Sequence, residues 1–211
     1  MSGPTHAAPA RRRIGLFGGT FDPVHTAHVA LARAALQAFD LDSVRWIPTG
    51  QPWQKGFDIT DAVHREAMVR LAIEDEPRFV LDRIEIERQG PSYTLDTVRE
   101  LVAAEPDTEW VLIIGQDQYA GLHTWRDWPV LLSLVTLAVA NRPGPAQLPD
   151  PEVQRFAHRA VPLPMLDVSS TDIRAEVAAG HDISEVVPPQ VARYIETHGL
   201  YRAPAKGSQA R

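Results

Sequence analysis

Two histidines three residues apart, His25 and His28, follow the stretch Gly18-Gly19-Thr20-Phe21-Asp22-Pro23. On a helix, that spacing puts two side chains on one face, their Cβ atoms about 5–6 Å apart. Upstream, Ile14-Gly15-Leu16-Phe17 reads as a short buried strand. Downstream, Val29, Ala32, Leu36 and Phe39 recur at helical spacing, so a helix begins between Asp22 and Thr26. Strand, glycine turn and helix direct backbone N–H groups and the positive end of a helix dipole at an anion, usually a phosphate. The first chemistry on offer is therefore a basic pair aimed at one phosphate. A second reading makes the histidines metal ligands, His being the commonest residue in that role. A catalytic zinc requires a third protein ligand, for which Asp22 is the nearby candidate.

A second stretch with chemistry in it is Val168-Ser169-Ser170-Thr171-Asp172-Ile173-Arg174. Ser169 followed by Asp172 resembles a helix-starting cap. Ser170, Thr171 and Arg174 at a helix N-terminus would offer hydroxyls, backbone donors and a planar cation to phosphate oxygens. The plainer alternative is a cap alone, with Arg174 on a solvated face. Lys55 sits in a loop, Gln51-Pro52-Trp53-Gln54-Lys55, and the only other lysine is Lys206 in the tail. Further along come Pro91-Ser92-Tyr93-Thr94, Gly115-Gln116-Asp117 and His123-Thr124-Trp125. Their ordinary readings are a helix cap by Thr94, a strand end, and a core tryptophan.

The elements that must position these residues alternate along the chain. Val44–Ile47 is a strand stopped by Pro48, and Val63–Ile73 a helix running up to Pro77. Phe79–Glu87 alternates apolar and charged residues, which predicts a half-exposed strand. Thr94–Ala104 is helical, Trp110–Ile114 and Thr136–Ala140 are apolar strands, and a helix begins near Asp127. Strands alternating with helices indicate an α/β fold with a mostly parallel sheet. Ligands of such sheets bind beyond the carboxyl ends of the strands. The loops 18–28, 48–57 and 115–128 should then converge on one crevice.

Bulk properties narrow the class. With 211 residues and 44% hydrophobic content, the chain supports one sizeable core. A net charge of −6 argues against a nucleic-acid-binding surface. The absence of cysteine excludes thiolate catalysis and disulfides. No apolar run reaches the ~18 residues of a membrane span, and the arginine-ended start does not read as a secretory signal, so a cytoplasmic protein is expected. Residues 1–12 are expected to be a disordered lead-in, 13–202 one domain and 203–211 a loose tail. Oligomeric state is not written in the sequence.

The two stretches together resemble the signatures of the nucleotidylyltransferase family: a Gly-Thr-Phe-Asp turn with His-x-Gly-His, and Ile-Ser-Ser-Thr-x-Ile-Arg. Ala27 stands where that family has glycine, and Val168 where it has isoleucine. Within the family, Lys55, the Pro-Ser-Tyr-Thr segment, Asp117, Thr124-Trp125 and the ending Tyr194–Arg202 are similar to the nicotinate mononucleotide adenylyltransferases. The resemblance implies a Rossmann-like, doubly wound parallel sheet of the nucleotidylyltransferase type in a single domain. It implies His25, His28 and Arg174 as catalytic residues, and Gly18, Gly19, Thr20, Phe21, Lys55, Ser170 and Thr171 as the ATP phosphate site. Tyr93, Thr94, Asp117, Trp125 and Arg126 would hold the mononucleotide. The implied substrates are ATP and nicotinate mononucleotide, with Mg²⁺ carried by ATP, no dedicated protein metal site, and neither nucleic acid nor membrane as partner. Pantetheine-phosphate and glycerol-phosphate nucleotidylyltransferases and a non-catalytic nucleotide sensor on the same fold are the alternatives, together with an aminoacyl-tRNA synthetase fragment, against which the short, acidic chain without a Lys-Met-Ser-Lys-Ser loop argues.

Overall fold

The computed structural model of the protein describes residues 11–51, 59–140, 148–163 and 168–203. Within them, strands β1 (Arg13–Gly19), β2 (Ser43–Pro48), β3 (Phe79–Leu81), β4 (Glu109–Ile114), β5 (Thr136–Ala140) and β6 (His158–Val161) form one sheet. Its order is β3-β2-β1-β4-β5-β6, and every neighbouring pair is parallel. The helices are α1 (Thr26–Ala38), α2 (Ala62–Ile73), α3 (Ile84–Glu87), α4 (Thr94–Ala104), α5 (Gln116–Ala120), α6 (Trp128–Leu134), α7 (Ser170–Ala179) and α8 (Pro189–Thr197). This is the doubly wound, Rossmann-like arrangement. From β1 the chain winds outward through β2 and β3, then crosses back to lay β4 on the other side of β1. The order reverses there, and the carboxyl ends of β1 and β4 part to leave a crevice.

Both faces of the sheet are buried, which explains the nearly continuous apolar runs in its central strands. Successive side chains of a strand point to opposite faces. In β1, Ile14 and Leu16 enter a core with Leu95, Val98 and Leu101 of α4 and Leu131 of α6. Phe17 enters the other, with Ala32 and Leu36 of α1, Met68 and Val69 of α2, and Val191 and Ile195 of α8. The same alternation splits Trp110, Leu112 and Ile114 of β4 from Val111 and Ile113. No helix among the described residues is long and apolar enough to cross a membrane.

Two stretches depart from the sequence-based expectation. Phe79–Glu87 is not one strand: pairing stops at Leu81 and α3 follows. The Asp82 carboxylate accepts the N–H of Ile84 at 3.0 Å, a local bond that turns the backbone out of the ladder. Strand β6 carries no apolar run to announce it. His158, Arg159 and Ala160 are exposed on the sheet's edge and only Val161 is buried.

The loop leaving β2 crosses α3 at very close range. A Cβ built on Gly50 would lie 2.0 Å from the Glu85 carbonyl oxygen, whereas one on Gly18 meets nothing closer than the Ile47 carbonyl at 3.9 Å. Gly50→Ala should therefore destabilise the fold by at least the ~1–3 kcal/mol typical of overpacking, with Gly18→Ala nearly neutral. Urea unfolding midpoints check this; equal midpoints for the two variants would refute the contact.

Candidate active site

The crevice at the β1/β4 switch holds a cavity of about 620 Å³. Gly18, Gly19, Thr20 and Phe21 border it from the end of β1, and His25 and His28 from the start of α1. Tyr93 and Thr94 reach it from the start of α4, Asp117 from α5, and Trp125 and Arg126 from the loop before α6. Ser170 and Thr171 close it from the start of α7. Arg174 does not border the cavity, and Lys55 lies outside the described residues.

The histidine pair is a stacked unit, with ring centroids 3.6 Å apart. His25 is the N-cap of α1, and its backbone N–H donates to His28 Nδ1 at 3.2 Å. That bond fixes the tautomer of neutral His28, whose hydrogen then rests on Nε2. The Phe21 ring lies edge-on to His28, centroids 5.1 Å apart, and Phe17 and Trp46 pack behind it. His25 is almost fully buried, and burial pushes its pKa down to about 4. Its Nδ1 has no hydrogen-bond partner. At neutral pH the pair thus includes one imidazole without charge, rather than two cations. Nor does α1 present its first donor to the crevice, because Thr26 gives both its N–H and its hydroxyl to the Val186 carbonyl at 3.0 Å. Ala27 falls in the first turn of α1 and not among the residues with positive φ, so its methyl adds no backbone strain.

The turn itself is held from behind by its carbonyls. Arg65 Nη1 donates to Thr20 O at 2.9 Å, Arg174 Nη1 to Asp22 O at 2.7 Å, and Ser170 Oγ to Pro23 O at 2.9 Å. Arg174 and Ser170 thus each give one donor to the carbonyls of the turn. Ser169 caps α7, its hydroxyl accepting the Asp172 N–H at 3.1 Å. The N–H groups of Ser170 and Thr171 are left among those an α-helix cannot pair within itself. Asp22 is 3% exposed, with Oδ1 accepting from Tyr201 at 2.6 Å and Oδ2 from the Thr60 N–H at 3.2 Å. Both oxygens are spent inside the protein, which removes Asp22 as the third ligand of a zinc. Among the described residues, no three His, Cys, Asp or Glu side chains form a metal-binding group.

On the opposite side, Tyr93 is the N-cap of α4 and Thr94 its first residue, so the cap falls one residue earlier than the sequence suggests. The Arg126 guanidinium lies over the Tyr93 ring, 4.9 Å from its centroid, and 3.5 Å from Asp96. These contacts lock the loop before α6 onto the start of α4. Trp125 is half-buried: it packs against the core of that face and borders the cavity too.

The chain matches the cytidylyltransferase-like family over residues 16–176, a span that runs from within β1, through β2–β6 and helix α1, into α7. It is 50% identical over 209 residues to the probable nicotinate-nucleotide adenylyltransferase of Methylibium petroleiphilum, covering 96% of this chain and 99% of that one. The protein of the same name from Bordetella petrii is 46% identical over 90% of this chain and the whole of its own length. This chain belongs to the nicotinate-nucleotide adenylyltransferases. The fold agrees with a solved relative, the nicotinic acid mononucleotide adenylyltransferase of Plasmodium falciparum complexed with NaAD. The TM-score is 0.76 at 18% identity, over 90% of this chain and 97% of that one.

Sequence reasoning missed Arg65, which is 1% exposed and donates to three carbonyls: Thr20, Thr60 at 2.8 Å and Gly50 at 3.3 Å. Burial lowers its pKa, and the charge of Asp22 opposes that. A signal existed, since Arg65 stands three and four residues before the buried Met68 and Val69, on the inward stripe of α2. Glu85, likewise buried, borders the cavity with its carboxyl accepting from Thr97 at 2.8 Å; burial raises its pKa.

The His25 shift fixes a pH dependence. Its folded pKa, about 4, lies below the ordinary 6.5, so the unfolded chain binds the proton more readily. The resulting stability is complete above pH 6.5 and falls as pH drops toward 4, by up to about 3 kcal/mol. Urea titrations at pH 7 and pH 5 should show a smaller loss for His25→Gln than for the parent chain; identical losses would contradict the burial argument.

Proposed function

We infer that this chain transfers the adenylyl group of ATP to nicotinate mononucleotide, forming deamido-NAD and releasing pyrophosphate. The observation that carries this reading is one cavity with two unlike walls. One wall, which we assign to phosphate, is made of Gly18–Phe21, the histidine pair and the start of α7. The other is an aromatic pocket formed by Tyr93, Thr94 and Trp125. An acceptor bearing a phosphate and an aromatic ring meets both walls at once.

In the proposed reaction an acceptor phosphate oxygen attacks the α-phosphorus of ATP. The new O–P bond forms as the bond from that phosphorus to the bridging oxygen breaks, and pyrophosphate leaves. The nucleophile is already anionic, so no general base is needed. Positioning and stabilisation of developing charge supply the rate. His28 Nε2–H donates to the transferring phosphoryl. The approaching phosphate raises the low pKa of His25, so that it takes up a proton as charge accumulates. The N–H groups of Ser170 and Thr171 hold the outer phosphates at the start of α7. Lys55 is assigned to the same polyphosphate on resemblance alone. Asp22 is committed within the protein, which fits a magnesium that arrives on ATP and keeps water and phosphate ligands. When bound, such an ion neutralises polyphosphate charge. The setting proposed for this reaction is the cytoplasm.

His28→Ala should lower kcat about 10²–10³-fold, the loss of one preorganised donor, with the fold intact; near-normal turnover in a pyrophosphate-release assay would refute its role. The ring pocket decides the acceptor. The resemblance assigns the N–H groups of Thr94 and Arg126 to a ring carboxylate, and an amide NH₂ in its place would face donors with a donor. A buried unpaired group costs about 1–3 kcal/mol. The acid should therefore exceed the amide at least ~10²-fold in kcat/KM, and Trp125→Ala should lose acceptor affinity and part of that preference. Equal rates on the two acceptors would refute the acceptor assignment and leave adenylyl transfer standing.

A further inference from the structure

The turn that faces the phosphates is tied to the far end of the chain. Tyr201, beyond α8 and 179 residues from Asp22, donates its hydroxyl to Asp22 Oδ1 at 2.6 Å. Burial and this bond both raise the pKa of the phenol, which keeps it a donor across the whole working pH range. The backbone on either side of the bond is unusual. Phe21, next to Asp22, has φ of 50°, and Tyr201 has φ of 62°. Aromatic residues are strained in the left-handed region and persist there only where surrounding contacts over-determine them. Those contacts converge on Asp22, because its side chain takes Tyr201 and the Thr60 N–H while its carbonyl takes Arg174.

The consequence for phosphate is electrostatic. A turn that exposed its carbonyl oxygens would repel an anion. Here the carbonyls of Thr20, Asp22 and Pro23 are each occupied by a protein donor, from Arg65, Arg174 and Ser170. That arrangement needs the turn to stay pressed between α2 and α7, and the Asp22 carboxylate is its anchor.

We propose that Tyr201 is a positioning residue for ATP: through Asp22 it holds the 18–23 turn in the conformation that receives the triphosphate. This rests on the adenylyl-transfer reading only in taking ATP as the ligand of the cradle. The phenol touches no substrate, and acts through Asp22 and the turn.

The test compares Tyr201→Phe with Tyr194→Phe. Tyr194 spends its hydroxyl on His64, at 2.9 Å, away from the turn. Calorimetry with a non-hydrolysable ATP analogue should show Tyr201→Phe binding about tenfold more weakly, the order expected for a lost bond to a charged group. Tyr194→Phe should bind like the parent chain. In turnover, Tyr201→Phe should raise the KM for ATP and lower kcat, with the mononucleotide KM within twofold. On an Asp22→Asn background, Tyr201→Phe should add nothing further. Unchanged analogue affinity in Tyr201→Phe would overturn the proposal, as would equal damage to both substrates, the mark of general loosening. A parent chain that fails to bind the analogue at all would overturn the adenylyl-transfer reading together with it.

Discussion

A carboxylate withdrawn from water is expensive, by several kcal/mol per ion, unless every oxygen is paired and a cation stands close. Asp22 meets that demand at the middle of the phosphate turn, and meeting it organises much of the molecule. The pairing draws in the C-terminal turn through Tyr201, the segment entering α2 through Thr60, and the charge of Arg65. The carbonyl of the same residue draws in α7 through Arg174. Removing one partner of such a group leaves a buried charge uncompensated, which costs more than the bond itself contributed. The turn is thus rigid because its anchor tolerates no alternative.

That rigidity has a chemical purpose. A reaction without a general base gains its rate from donors placed before the substrate arrives. In the proposed reaction the His28 Nε2–H is a donor of this kind, set in place by the His25 N–H, while buried His25 starts out neutral. The depressed pKa of His25 states the same fact from another side.

Much of this was legible in the sequence. The short apolar runs of β1 and β4 and the 3.6-residue stripe of α1 announced the sheet and its helices, and the glycine turn with its histidines announced the crevice. Less legible were features set by partners remote along the chain. Ser170 and Arg174 were readable as phosphate ligands because their types and their helix start suit an anion. Their actual bonds, to Pro23 and Asp22, depend on how α7 lands on the turn roughly 150 residues away. Arg65 was hidden by the habit of reading arginine as surface. Edge strand β6 was hidden because a strand with one buried residue has no period to read.

The central claim is that the turn, the histidine pair and the start of α7 form a single phosphate cradle, with the acceptor ring on the opposite wall. The most direct test is a crystal structure with a non-hydrolysable ATP analogue and nicotinate mononucleotide bound together. The α-phosphate should lie within hydrogen-bond distance of His28 Nε2, with the outer phosphates at the N–H groups of Ser170 and Thr171 and the pyridine ring against Trp125. A triphosphate bound away from the 18–23 turn, or an acceptor ring on the histidine side of the cavity, would contradict it.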